Sequence, residues 1–191
     1  MPRPDELQSI LKHWREAVPE DRLAHLIRDA ARAQARALQM RLLGHAVSFG
    51  HWSFLRILWE ADGLTQSELS ARAGVMEPTT YAAVTAMERL GLVRRKQLSG
   101  NRKNVHVYLT AKGRTLRRKL IPLAEEVNRI SVGGISAADV ATTRRVLLAM
   151  LDNLAGDDAE PANAELRVPS TRELSLLPAR AAKRARKSAP A

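Results

Sequence analysis

The side chains of this chain that could do chemistry are hydroxyls, small methyls and cations. Ser67, Pro78, Thr79, Thr80, Tyr81, Arg89, Arg102 and Lys103 all fall in one short stretch. Threonine hydroxyls can reach bases or phosphates, and alanine and threonine methyls can touch thymine methyls. An arginine can enter a narrow minor groove, where the negative potential is enhanced. This is the chemistry of a nucleic-acid surface. Covalent chemistry has no comparable set: there is no phosphate-cradling glycine loop, HExxH or serine elbow. The five histidines are scattered, and His45 and His51 are the only close pair, across an expected helix break. We expect no enzyme, no metal and no cofactor.

Those side chains need a scaffold, and Leu64 to Thr110 reads as one. Thr65-Gln-Ser-Glu68 is a capping box, in which the threonine takes a free amide and the glutamate reaches back. Gly74 sits where a helix C-cap needs a left-handed residue. A second helix is predicted from Pro78 to about Leu90, closed by Gly91. At 100° per residue, Thr80, Val84 and Met87 share an inward face, while Thr79, Ala82, Ala86 and Arg89 lie opposite and Tyr81 flanks them. Helix, short turn, helix is the arrangement that sets a second helix in the major groove. The same pattern also serves an ordinary surface helix. Val93 to Leu98 and Val105 to Leu109 then favour strand. Between them runs the polar loop Ser99-Gly-Asn-Arg-Lys-Asn104, with Arg102 and Lys103 at or near its tip. Arg94, Arg95 and Lys96 add charge on the way in.

The segment resembles the winged helix-turn-helix of the MarR family of bacterial transcriptional regulators. LTQSELSARAG matches the first helix, MEPTT…MERLGLVRR the recognition helix, and NRKNVHVYLTAKG the wing and its exit. By pattern the resemblance spans roughly residues 23–154. It implies a homodimer on a pseudo-palindromic operator, with the first and last helices forming the dimer. It places Pro78, Thr79 and Tyr81 in the groove-entering turn and makes Arg102 the wing arginine. Two positions depart from the family pattern: Asn101 stands where aspartate usually precedes the wing arginine, and Ala82 where an arginine is common.

Charge agrees with a polyanionic partner. Lys and Arg total 31 against 20 Asp and Glu, a net +11 over 191 residues. Part of this charge sits in the last 18 residues, which contain no acid. No long apolar span suggests a membrane. The chain has no cysteine, which excludes disulfides and thiol redox sensing, and with them the peroxide sensing that some MarR relatives use. No apolar signal segment opens it, so a cytoplasmic location is expected.

The expected fold is mainly α with a small β-wing and a helical dimerisation region. Residues 1–20 read as an amphipathic arm that needs a surface, either on a partner subunit or on its own chain. Residues 21–155 form the MarR-like domain, its winged part about 52–110, its dimerisation helices about 21–48 and 111–155. Pro122 should bend the helix after the wing. Residues 156–191 are expected to be a disordered basic tail, either an arm that adds phosphate contacts or a solvated end. His45, Phe49, His51, Trp52 and Arg56 cluster where the long helix turns into the next. They make either a slot for a small aromatic or phenolic effector or a packed aromatic hinge. Function reads as a DNA-binding repressor. An architectural DNA-binding protein and a protein-interaction module are the alternatives.

Overall fold

The computed structural model describes residues 4–16, 23–98 and 101–159, with side chains described for 7–16, 23–97 and 105–157. The chain divides into two units, at Gly133 and Gly134. The order of elements in the first is α1 (Pro4–Glu16), α2 (Leu23–Leu42), α3 (Phe49–Glu60), β1 (Leu64–Thr65), α4 (Gln66–Ala73), α5 (Glu77–Arg89), β2 (Val93–Leu98), β3 (Asn101–Leu109) and α6 (Ala111–Ser131). The second unit contributes α7 (Ala137–Ala159). The expected class, mainly helical with a small antiparallel sheet, is what the chain adopts.

The core of the first unit gathers around α3, because that helix is apolar on nearly every side. Trp52, Phe54, Leu55, Ile57 and Leu58 are buried, and Trp52 meets Trp59 edge-on at 5.6 Å and 70°. Each such side chain contributes roughly 1.5–3 kcal/mol by leaving water. Leu38 and Leu42 of α2, Leu120 and Val127 of α6, and Leu69, Val84 and Met87 of α4 and α5 close the same cluster. α2 and α6 are further linked by Arg41 Nη2 on Glu126 Oε1 at 3.0 Å and by Gln34 Nε2 donating to Ser131 Oγ at 3.2 Å. α1 is tied back to α2 where Trp14 Nε1 donates to Asp29 Oδ2 at 3.2 Å.

Three expectations need correction. The long helix ends at Leu42 rather than near Val47: a single 3₁₀ turn over Leu43–His45 is followed by Ala46 in the left-handed region, φ 55°. The next helix begins at Phe49 rather than Trp52, because the Ser48 hydroxyl accepts from His51 N and caps it. Gln39 clasps this break, its Oε1 accepting from Phe49 N at 2.6 Å and its Nε2 donating to Val47 O at 3.4 Å. The third correction concerns the wing. β3 starts at Asn101, so Arg102 and Lys103 belong to a strand rather than to a six-residue loop.

The sheet is antiparallel in the order β1-β3-β2. The two-residue β1, not foreseen, pairs Leu64 with Val107 and Thr65 with His106. β2 pairs regularly from Val93–Leu109 to Gln97–Val105, and then the register jumps so that Leu98 faces Asn101. Arg102, Lys103 and Asn104 lie in that jump. Thr110 caps α6, accepting from Gly113 N at 3.1 Å, and the helix continues through Pro122. Here several bonds converge. Thr110 Oγ1 donates to Gly91 O, Lys112 Nζ to Leu90 O and Trp59 Nε1 to Gly113 O, at 2.7, 2.8 and 2.9 Å. Gly113 must be glycine, since a Cβ there would land on Leu92 O.

In the second unit, Ser136 caps α7, its hydroxyl accepting from Asp139 N at 3.1 Å and donating to the Asp139 carboxylate at 2.7 Å. The helix runs past Gly156 to Ala159. The rest of the expected basic tail, from residue 160, lies outside the described residues. Among the described residues, no helix is long and apolar enough to cross a membrane, and no three metal-ligating side chains gather.

Candidate nucleic-acid interface

The pair α4–α5 is fixed by local chemistry first. Thr65 Oγ1 accepts from Glu68 N at 3.2 Å while Glu68 Oε2 accepts from Thr65 N at 2.8 Å, which completes the capping box. Those bonds from Thr65 hold the Glu68 carboxyl below its ordinary pKa. Gly74 takes the left-handed turn at φ 64°. α5 starts one residue earlier than expected, at Glu77, with Pro78 in its first turn where a missing N–H costs nothing.

Thr80, Val84 and Met87 all face inward, fully buried. This corrects one candidate: Thr80 has no side-chain surface to offer a duplex. Its hydroxyl lies 2.7 Å from Ser70 Oγ, and Ser70 Oγ lies 2.9 Å from Gln66 O. With one proton each, Thr80 donates to Ser70 and Ser70 to the carbonyl, a buried chain that bolts α5 to α4. The opposite face is open. Pro78, Thr79, Ala82 and Arg89 are exposed, Ala86 is half-buried, and Tyr81 is 57% exposed. Ser67 is exposed on α4.

β2 separates its cations by alternation. Arg94 and Lys96 are exposed and pair across the sheet with Tyr108 and His106. Arg95 points the other way, toward α5. Glu88 Oε2 accepts from its Nε at 3.0 Å and its Nη2 at 2.7 Å, and Glu88 Oε1 accepts from its backbone N at 3.0 Å. The Arg95 guanidinium carbon stands 5.4 Å from the Tyr81 ring centre. Arg95 is therefore not the free wing charge expected of it. Bonds from its side chain and backbone hold the Glu88 carboxyl below its ordinary pKa. A hollow of about 390 Å³ opens between α5 and the wing strands, lined by Gln66, Tyr81, Arg95, Lys96, Gln97 and Val105. Sequence reading missed Glu88 and Gln66. The only signal for Glu88 was an acid seven residues before an arginine, across a glycine turn. The side chains of Arg102 and Lys103 lie outside the described residues.

The five residues of the expected effector cluster all belong to the α2–α3 junction. His45 is half-buried at the end of the 3₁₀ turn, Phe49 and Arg56 are exposed, and Trp52 is buried in the core. His51 is half-buried, and its Nδ1 is buried without a hydrogen-bond partner. Burial lowers its pKa, so the ring is neutral at neutral pH.

The sequence profile of the MarR family matches residues 47–105, from the cap of α3 to the returning wing strand. The chain belongs to the MarR family. Members of this family are transcriptional regulators rather than enzymes. The transcriptional regulator TtmR of Methylorubrum extorquens is 30% identical over 136 residues, 71% of this chain and 65% of that protein. The homoprotocatechuate degradative operon repressor of Escherichia coli is 29% identical over 102 residues, 53% of this chain and 67% of the repressor. The chain thus spans about two thirds of the length of these two relatives. A MarR-family regulator of Listeria monocytogenes, solved with a 26mer DNA, shares the fold with a TM-score of 0.67 at 23% identity, covering 78% of this chain and 99% of that one.

Proposed function

We propose that the protein is a homodimeric, sequence-specific repressor that acts in the cytoplasm on a pseudo-palindromic operator. One observation carries this reading most directly: α5 is pinned from beneath by fully buried Thr80, Val84 and Met87, while Pro78, Thr79, Tyr81 and Ala82 stand clear on its outer face. A helix anchored on one side and smooth on the other suits the major groove. Ser67 and Arg89 flank that face for phosphate contacts, and Arg102 and Lys103 are assigned to the wing.

Dimerisation is supported by apolar side chains that the chain leaves uncovered, Leu7, Ile10 and Leu11 on α1 and Leu148, Leu151 and Leu154 on α7. The effector reading is supported by the α2–α3 junction, where neutral His51 carries an unpaired buried nitrogen and where Phe49 and Arg56 of the same helix are exposed. A relative that represses an operon for degrading an aromatic acid points to the same ligand class. A small aromatic carboxylate or phenol would pair with Arg56 and a histidine and favour a lobe separation that mismatches the two half-sites.

Selection of bound fragments from genomic DNA tests the reading. A regulator prefers one site by at least ~10³ over random DNA at physiological salt. Equal affinity for every duplex would make the protein architectural instead. Thermal-shift screening with phenolic acids, followed by operator release, tests the effector. Absence of any shift removes that part.

A further inference from the structure

The Glu88–Arg95 pair joins the reading helix to the wing without being part of the exposed face of either. Three hydrogen bonds of 2.7–3.0 Å use both carboxylate oxygens and tie both the side chain and the backbone of Arg95. The guanidinium then stacks against Tyr81, the largest exposed side chain of the groove-facing turn. The pair borders the hollow of about 390 Å³ between α5 and the wing strands, which Tyr81 and Arg95 both line. At position 101 the chain carries asparagine, which can offer the wing no carboxylate.

We infer that Glu88 and Arg95 are positioning residues for sequence recognition: they hold the Tyr81 ring and set the angle between α5 and the wing, while neutralising a cation that would otherwise grip phosphate indiscriminately. The inference rests on the operator-binding reading above. An ion pair placed here trades raw affinity for discrimination, because a freed arginine adds a sequence-blind phosphate contact. Tyr81, held by a neighbour on one side, enters the groove in one orientation, and the conformational freedom it would lose on binding is already gone.

The test uses the full-length protein and its selected operator. Glu88→Gln keeps the shape of the side chain and removes its charge. Tyr81→Leu removes the ring at an exposed position and leaves the fold alone. Arg95→Gln removes the bridge and the cation together. Each substitution is expected to lower the ratio of operator to random-DNA affinity by about tenfold, the scale of one wrong base pair. The losses for Glu88→Gln and Tyr81→Leu should fall on the same base pairs, and the double variant should lose no more than either alone. Glu88→Gln alone should also steepen the dependence of log affinity on log salt by about 0.9, as Arg95 takes up a phosphate. An unchanged ratio in all three variants overturns the inference, as do losses that multiply in the double variant. A wild-type protein without a preferred site overturns the regulator reading itself. A wild-type protein that has one, with indifferent variants, overturns only the positioning role.

Discussion

Thr79 and Thr80 are neighbours in sequence, one exposed and one buried, and on the proposed reading substitution should separate them. Thr80→Val removes the donor of the buried hydroxyl chain, while Ser70 keeps its bond to Gln66 O. We expect a loss of about 1 kcal/mol in urea denaturation, with the preferred DNA site unchanged. Thr79→Val should leave the denaturation midpoint alone and weaken operator binding roughly tenfold in a gel shift, since a lost base contact costs about 1–3 kcal/mol. Acid stability is a second matter of single residues. Hydrogen bonds from Arg95 and Thr65 depress the Glu88 and Glu68 carboxyls in the folded chain. Such a group stabilises the fold above its unfolded pKa, roughly 4.3, and that contribution is lost as pH falls through the lower folded value. Melting temperature should therefore drop below about pH 4, and Glu88→Gln should flatten the drop in melts recorded from pH 7 to pH 3.

At the level of elements, the break between α2 and α3 and the start of α6 make contrasting demands on the backbone. Ala46 holds a left-handed conformation that costs an L-residue roughly 1–2 kcal/mol. Ala46→Gly should raise the midpoint of thermal unfolding, by less than that cost because the unfolded chain also gains freedom. Gly113→Ala should do the reverse: its methyl meets a backbone carbonyl, Leu92 O, which cannot swing away. A loss of about 2 kcal/mol or more is expected in the same melts. The elements that sequence reading placed well are those bounded by local chemistry. Thr65 with Glu68 and Gly74 each declare a helix end within four residues. Long-range partners declare nothing. The two-residue β1 exists because Leu64 and Thr65 meet Val107 and His106, some forty residues away. The Asp62 carboxylate accepts from Leu109 N at 2.8 Å and from Arg114 at 3.1 Å, partners about fifty residues away. The inward face of α5 was legible from a 3.6-residue period. That Thr80 is satisfied by Ser70, and Arg95 by Glu88, depended on how two helices and a strand are packed.

For the molecule as a whole, the second unit offers the cleanest trial of assembly. Leu151 and Leu154 are 63% and 61% exposed on α7, so replacing both with arginine removes no core contact. On the proposed reading the double variant sediments as a monomer, keeps the melting transition of the winged unit, and loses operator affinity by at least about a hundredfold. A dimer that persists in sedimentation would place the interface elsewhere. One junction in the first unit has mechanical consequences. Leu90, Gly91 and Leu92, which follow α5, are bound to Thr110 and Lys112 at the root of α6, and Trp59 clamps Gly113 from below. α6 is 21 residues long, about 31 Å at 1.5 Å per residue. Its first turn is bonded to the segment that follows α5, the proposed reading helix, and its far half is tied to α2. Rocking the far end by about five degrees would sweep the tip through roughly 3 Å over that length, close to the 3.4 Å rise of one base-pair step.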